Sequence, residues 1–196
     1  MRHLLRSARS PARRSPVVPS WVPRAAHDIG LAAWFGGAYM GAVALNGASR
    51  EVDDPTQRAR VANAGWFRWA AIVPVAVGSH LVGGVALTRR SGTARGAQAG
   101  VALARGALLV GALAATAESG RSGRTVSGAG DVPVATAVQP IDDTPDDVAR
   151  AQRILRVVQW IIPAATGAMI VLDSWQQAHG GTRVAPERWL DAVLPG

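Results

Sequence analysis

Residues 26–49 read AHDIGLAAWFGGAYMGAVALNGAS, and after Asp28 the chain runs for about 21 residues without a charge. A helix rising 1.5 Å per residue needs roughly 20 apolar residues to cross the hydrocarbon of a bilayer. A buried helix of a soluble bundle would instead show polar residues every third or fourth position on its outer face. This stretch shows no such face, so it reads as a membrane span. Its entrance is marked by a histidine–aspartate pair, His27 and Asp28, which a lipid-facing helix does not need.

Three further stretches follow the same pattern. The spans are expected at 26–48, 65–88, 96–117 and 156–178, within a transmembrane domain of 26–178. The second holds about 20 uncharged residues from Trp69 to Thr88. The third contains Arg105 and the fourth contains Asp173. The fold class expected is all-α, a polytopic four-transmembrane-helix bundle. Residues 1–25 form a basic, flexible N-terminal segment rich in arginine and proline and free of acids, which cannot bury enough apolar surface to fold alone. The first apolar run exceeds the about 7–15 residues of a secretory signal core, so it reads as a retained span.

The connections are polar. Residues 49–64 and 89–95 read as loops, and 118–153 as a longer outer loop. Within the last, SGRSGRTVSGAGD reads as flexible and VPVATAVQPI as extended. TPDDVARAQR reads as a helix start, with Thr144 as N-cap, Pro145 at the first helical position, and Asp146 and Asp147 complementing the dipole. The tail, 179–196, suits a short interfacial helix.

All 21 basic residues are arginine, the bias of a GC-rich bacterial genome, and the net charge is +8. The arginines gather at the N-terminus and in connections, which suits membrane flanks and excludes a nucleic-acid-binding face. With the N-terminus inside, 11 arginines fall on the inner side and nine on the outer. The acid-free N-terminal cluster and the compact second loop then favour an N-in, C-in topology. Cysteine is absent, so disulfides, thiolate metal sites and cysteine nucleophiles are excluded.

Ionisable residues inside a span cost about 2.5–3.5 kcal/mol each at mid-helix, so each needs a partner or an exit. On the N-in topology His27, Asp28, His80, Arg105 and Asp173 all fall in the inner half of the bilayer, one or two from each helix. They form a candidate intramembrane polar cluster. Its bland reading is structural: an Arg105–Asp173 or Arg105–Asp28 ion pair, with His80 a satisfied core histidine. Its functional reading is a cavity for protons, ions or a small solute. A bis-histidine haem on His27 and His80 is disfavoured, because the two are expected to differ in depth by about 10 Å. No zinc, di-iron or EF-hand spacing occurs, so no cofactor and no metal site is expected.

Gly37, Gly41, Gly83 and Gly84 read as helix-packing glycines of the small-xxx-small type. Pro74 and Pro163 are candidate kinks. Trp34, Trp66, Trp69, Trp160 and Trp175 read as interfacial anchors. No catalytic triad, carboxylate pair or phosphate-cradling loop is present.

Across nearly its whole length the chain resembles a family of small, uncharacterised four-span membrane proteins of GC-rich actinobacteria. The resemblance rests on AHDIGLAAWFGGAYMGAVALNGAS, AGWFRWA and GDVPVATAVQPIDDTPDDVARAQRILRVVQW. It implies a bacterial cytoplasmic membrane location and no particular activity. A fainter resemblance, in a histidine beside WFGG, is to copper-resistance D-type membrane domains, but three methionines depart from the supply that copper needs. The expected role is a non-catalytic accessory or scaffold component of a membrane complex. Its partners would be the lipid bilayer and another membrane protein or further copies of the chain. The alternatives are a small-solute or proton pathway through the polar cluster, and, least favoured, a b-haem redox protein.

Overall fold

A computed structural model describes residue 19 and residues 21–91 and 97–180. The expectations for most of the basic segment 1–25 and for the tail from 181 onward lie outside them. Among the described residues, four helical stretches are long and apolar enough to cross a membrane: Trp21–Glu51, Pro55–Arg89, Ala99–Gly128 and Asp146–Ala178.

The first stretch is α1 (Trp21–Met40), a π-helical turn (Gly41–Leu45), the short α2 (Asn46–Ala48) and a 3-10 turn (Ser49–Glu51). It starts five residues before the expected boundary, which carries His27 into the helix body. The second stretch is α3 (Pro55–Ala70) and α4 (Val73–Ser91), and it starts ten residues early. Its start signal is local: Asp54 caps α3 by accepting from the Thr56 N–H at 2.9 Å, and Pro55 occupies the first turn. The break at Ala71–Ile72 lies just ahead of Pro74, which lacks the N–H that would reach back four residues and whose ring crowds that carbonyl.

The third stretch, α5 (Ala97–Gly128), corrects the reading of SGRSGRTVSGAGD as flexible, since the helix continues through most of it. Local propensity there is poor, and packing overrides it. Val126 is buried with Val134, Val148 and Ala151, and Ser122 donates to Glu118 at 2.7 Å. A short antiparallel hairpin follows, β1 (Val134–Thr136) paired with β2 (Gln139–Pro140). The chain then enters α6 (Asp146–Gly180), 35 residues without a break at Pro163. Thr144 is not an N-cap. Its hydroxyl accepts from the Ile141 N–H and donates to the Pro133 carbonyl, which ties the hairpin to the helix start.

The main packing is α5 on α6, α1 on α4, and α1 on α6. The core between them is built from Leu31, Trp34, Ala76, Ala112, Ile162 and Met169 with their neighbours, and its many alanines bring the helices close together. Beyond the apolar stretches, the start of α3, the end of α5, the hairpin and the start of α6 form a polar cap. Gln152, fully buried, donates to the carbonyls of Thr136 and Ala137 at 3.0 and 3.3 Å. Arg50 reaches Gln139 at 2.9 Å, and Ser49 accepts from the Ala137 N–H at 3.1 Å. Outside the core, large apolar side chains face outward on every long helix, among them Val82 (70 % exposed), Leu103 (76 %) and Val171 (67 %). Such outward apolar side chains are what helices long and apolar enough to cross a membrane would present to lipid.

Candidate functional site

The site is built on the crossing of α1 and α4. Both helices carry His-x-x-Gly: His27-Asp-Ile-Gly30 and His80-Leu-Val-Gly83. The glycines let the backbones meet. A Cβ on Gly30 would lie 2.5 Å from the Ala76 carbonyl and 2.6 Å from the His80 nitrogen; one on Gly83 would lie 2.5 Å from the Pro23 carbonyl and 2.6 Å from the His27 nitrogen. At that separation each histidine reaches the other's backbone. His27 Nδ1 lies 2.9 Å from the His80 carbonyl, and His80 Nδ1 lies 3.2 Å from the His27 carbonyl. The rings stack with centroids 4.0 Å apart and planes inclined by 22°. Because carbonyls only accept, both Nδ1 atoms carry the ring hydrogen. The repeated His-x-x-Gly was the sequence signal for this clasp.

This arrangement corrects the expected difference of about 10 Å in depth between the histidines. That figure took His27 as the first turn of a helix starting at 26. With α1 starting at Trp21 and crossing α4 at Gly30 and Gly83, the two residues lie side by side. The geometry still does not suit a shared haem, whose axial nitrogens face each other across the macrocycle. Here the rings lie face to face.

Arg105 of α5 and Asp173 of α6 close the site. Arg105 Nε stands 2.8 Å from Asp173 Oδ1, Nη2 stands 3.1 Å from His27 Nε2, and Nη1 reaches Gln176 Oε1 at 3.5 Å. The Nε–Oδ1 approach is off the hydrogen-bond line, so charge rather than a directed bond holds the pair. Asp173 Oδ2 lies 3.4 Å from His27 Nε2. His27, His80 and Asp173 are buried, and Arg105 is about a third exposed. Asp28 is exposed, yet it brings a carboxylate oxygen within 4.8 Å of ligand atoms on His27 and Asp173. Three such atoms could begin a metal site, but the Arg105 guanidinium already sits against two of those residues. The cation of this cluster is the protein's own. All five expected residues thus meet in one place, and of the two expected ion pairs it is Arg105–Asp173 that forms.

The cluster opens into a cavity of about 920 Å³ between α4 and α5, with Leu81, Val85, Leu109 and Met169 among its apolar walls and Arg24 and Arg89 also on its lining. His80 lines it too, and since His80 Nδ1 is held by His27, its Nε2 is the ring atom left to face a ligand.

The remaining glycine and tryptophan expectations change role. Gly37 seats the Trp69 indole, and Gly41 seats that of Trp66, so the Gly-x-x-x-Gly spacing receives side chains instead of a helix backbone. Gly83 packs on the α1 backbone, and Gly84 faces the His27 ring. Trp34 is fully buried and donates to Thr116 at 3.2 Å. Trp34 is therefore internal and Trp66 and Trp69 are half-buried, whereas Trp160 and Trp175 are about half exposed near opposite ends of the apolar part of α6. Trp34, Trp66 and Trp69 line a second cavity, of about 390 Å³, toward the capped end. There the π-helical turn adds a residue to the winding of α1 and turns Asn46 inward, where Asn46 accepts from Trp66 Nε1 at 2.8 Å and donates to Gln159 at 2.7 Å.

In comparison with known proteins, the chain matches no protein-family model, no curated protein and no solved structure.

Proposed function

We propose that the chain is a four-span integral membrane protein of the bacterial cytoplasmic membrane, with both ends inside, and that the cavity between α4 and α5 passes a proton to or from a small bound solute. The observation that carries this reading is the position of His27 Nε2 between Arg105 Nη2 at 3.1 Å and Asp173 Oδ2 at 3.4 Å. With its hydrogen on Nδ1, neutral His27 accepts from Arg105. A proton added at Nε2 makes that atom a donor, which repels the guanidinium and pairs with Asp173. One atom therefore changes partner with protonation, at the edge of a cavity that a purely structural ion pair would not require. Four long apolar helices and the arginines beside them support the membrane setting.

The test is protein reconstituted into vesicles carrying an internal pH dye. The wild type should dissipate an imposed pH gradient faster than empty vesicles, and Asp173→Asn and His27→Gln should return the rate to the empty-vesicle level while inserting normally. A wild-type rate equal to that of empty vesicles rejects the pathway.

A second reading, a non-catalytic accessory or scaffold subunit, is favoured by α5. Only 11 % of its apolar window is buried within the chain, against 33 % for the first and fourth stretches, and Gly100 and Gly111 have open space where a Cβ would stand. Native mass spectrometry of the protein extracted gently from its own membrane tests it. A foreign subunit in the peak supports the accessory role, and the chain without one counts against it.

A further inference from the structure

We infer that the occupant of the cavity between α4 and α5 is an anionic amphiphile drawn from the membrane, with a phosphate or carboxylate head at the arginines and an alkyl chain between the two helices. The inference rests on the cavity being the working site, and it names what the cavity takes.

Three features lead to it. The first is charge. Among the described residues, the lining holds three guanidinium groups, Arg24, Arg89 and Arg105, against one carboxylate, Asp173. Asp173 is engaged by Arg105 at 2.8 Å, and Asp28, the other carboxylate of the cluster, is not on the lining, so among the described lining residues no carboxylate is left for Arg24 and Arg89. Both have exposed side chains at the cavity, and a guanidinium fork matches a phosphate or carboxylate. The second feature is the wall. Leu81, Val85, Leu109 and Met169 present a surface that an inorganic anion has no use for, and a volume of about 920 Å³ is far larger than such an ion. The third is access. The chain packs mainly α1 on α4 and α5 on α6, which leaves the cavity as the gap between the two pairs. Gly106 lines that gap, and a Cβ there would meet nothing within 4 Å. A neutral lipid would leave the arginines unmatched, and a soluble anion would leave the walls unmatched.

The experiment measures binding of tritiated hexadecyl phosphate to the full chain in nanodiscs of zwitterionic lipid, with unlabelled hexadecanol and inorganic phosphate as competitors. Saturable binding is expected that neither competitor displaces. Arg24→Gln with Arg89→Gln should weaken it about tenfold or more, the scale of losing charge-assisted hydrogen bonds. Gly106→Trp, placed in open space, should block it without disturbing helix packing. Displacement by hexadecanol as strong as by unlabelled hexadecyl phosphate would show that the head charge is not read. Displacement by inorganic phosphate would show a site for a soluble anion. Either result, or unchanged binding in the double arginine variant, overturns the inference. Proton movement without amphiphile binding rejects this inference alone, whereas binding without proton movement rejects the proton pathway alone.

Discussion

The imidazole of His27 lies face to face with that of His80, ring centres 4.0 Å apart, and the Nδ1 of each ring is held by the other residue's carbonyl oxygen. Side chains and backbone thus interlock in both directions across one helix crossing. The reciprocal bonds set the tautomer of both rings, and this leaves the Nε2 atoms as the ones available for chemistry. His27 Nε2 faces an arginine and an aspartate supplied by the other helix pair. The clasp on α1 and α4 and the ion pair on α5 and α6 are therefore complementary halves of one site.

Close approach at the crossing depends on two glycines, so Gly30→Ala and Gly83→Ala should each destabilise the protein by about 1–3 kcal/mol, the usual range for overpacking. Gly36→Ala serves as the control, since a Cβ there meets nothing within 4 Å. Thermal melts of the three purified variants check this, and equal melting temperatures for all three would reject the close-approach account.

Asp173→Asn removes the negative partner of a guanidinium that is 29 % exposed and leaves Arg105 uncompensated. The expected cost is about 3 kcal/mol, at the low end for a broken buried pair because Arg105 retains some access to solvent. Replacing both residues, as Arg105→Gln with Asp173→Asn, should cost less than the two single losses added together. A double-mutant cycle from denaturation measures the coupling, and strict additivity would mean that the pair contributes nothing.

At the capped end, Asn46→Leu keeps the branched shape of the side chain, adds some bulk and leaves the Trp66 indole N–H and the Gln159 amide without their partner. A loss of about 1–3 kcal/mol is expected for the stranded polar groups. It should come with a shift in tryptophan emission, and an unchanged spectrum and stability would show that Asn46 does not hold the junction.

Asp54 supplies a pH dependence. Hydrogen bonds from the Thr56 side chain and backbone hold its carboxyl below the ordinary aspartate range. A depressed folded value contributes stability that is complete above the unfolded value, about 3.9, and is lost as pH falls through the folded one. Between neutral pH and that window Asp54→Ala should melt below the wild type. The gap should close at still lower pH, and melting curves across the acid range read it directly.

The site residues were legible because ionisable side chains are conspicuous in apolar stretches. His27, Asp28, His80, Arg105 and Asp173 could be picked out one at a time. Their contacts were not legible. Whether Arg105 meets Asp28 or Asp173 depends on how helices face one another, and the separation of His27 from His80 depended on where α1 begins. The four apolar stretches were equally visible, but their polar extensions were not. Residues 119–128 look like a flexible linker when read locally, and they are helical because Val126 finds a pocket made by the hairpin and α6. Gly37 and Gly41 show the same limit, since spacing reveals room beside a helix without saying whether backbone or indole fills it.

The continuity of α6 gives the molecule a mechanical property. Gln152, which grips the hairpin, and Asp173, which closes the cluster, are 21 residues apart on one rod, about 32 Å along its axis. Pro163 sits almost at the midpoint, where the helix lacks one backbone bond and bends most easily. Cap and cluster are thus carried on one helix, with its softest point midway between them.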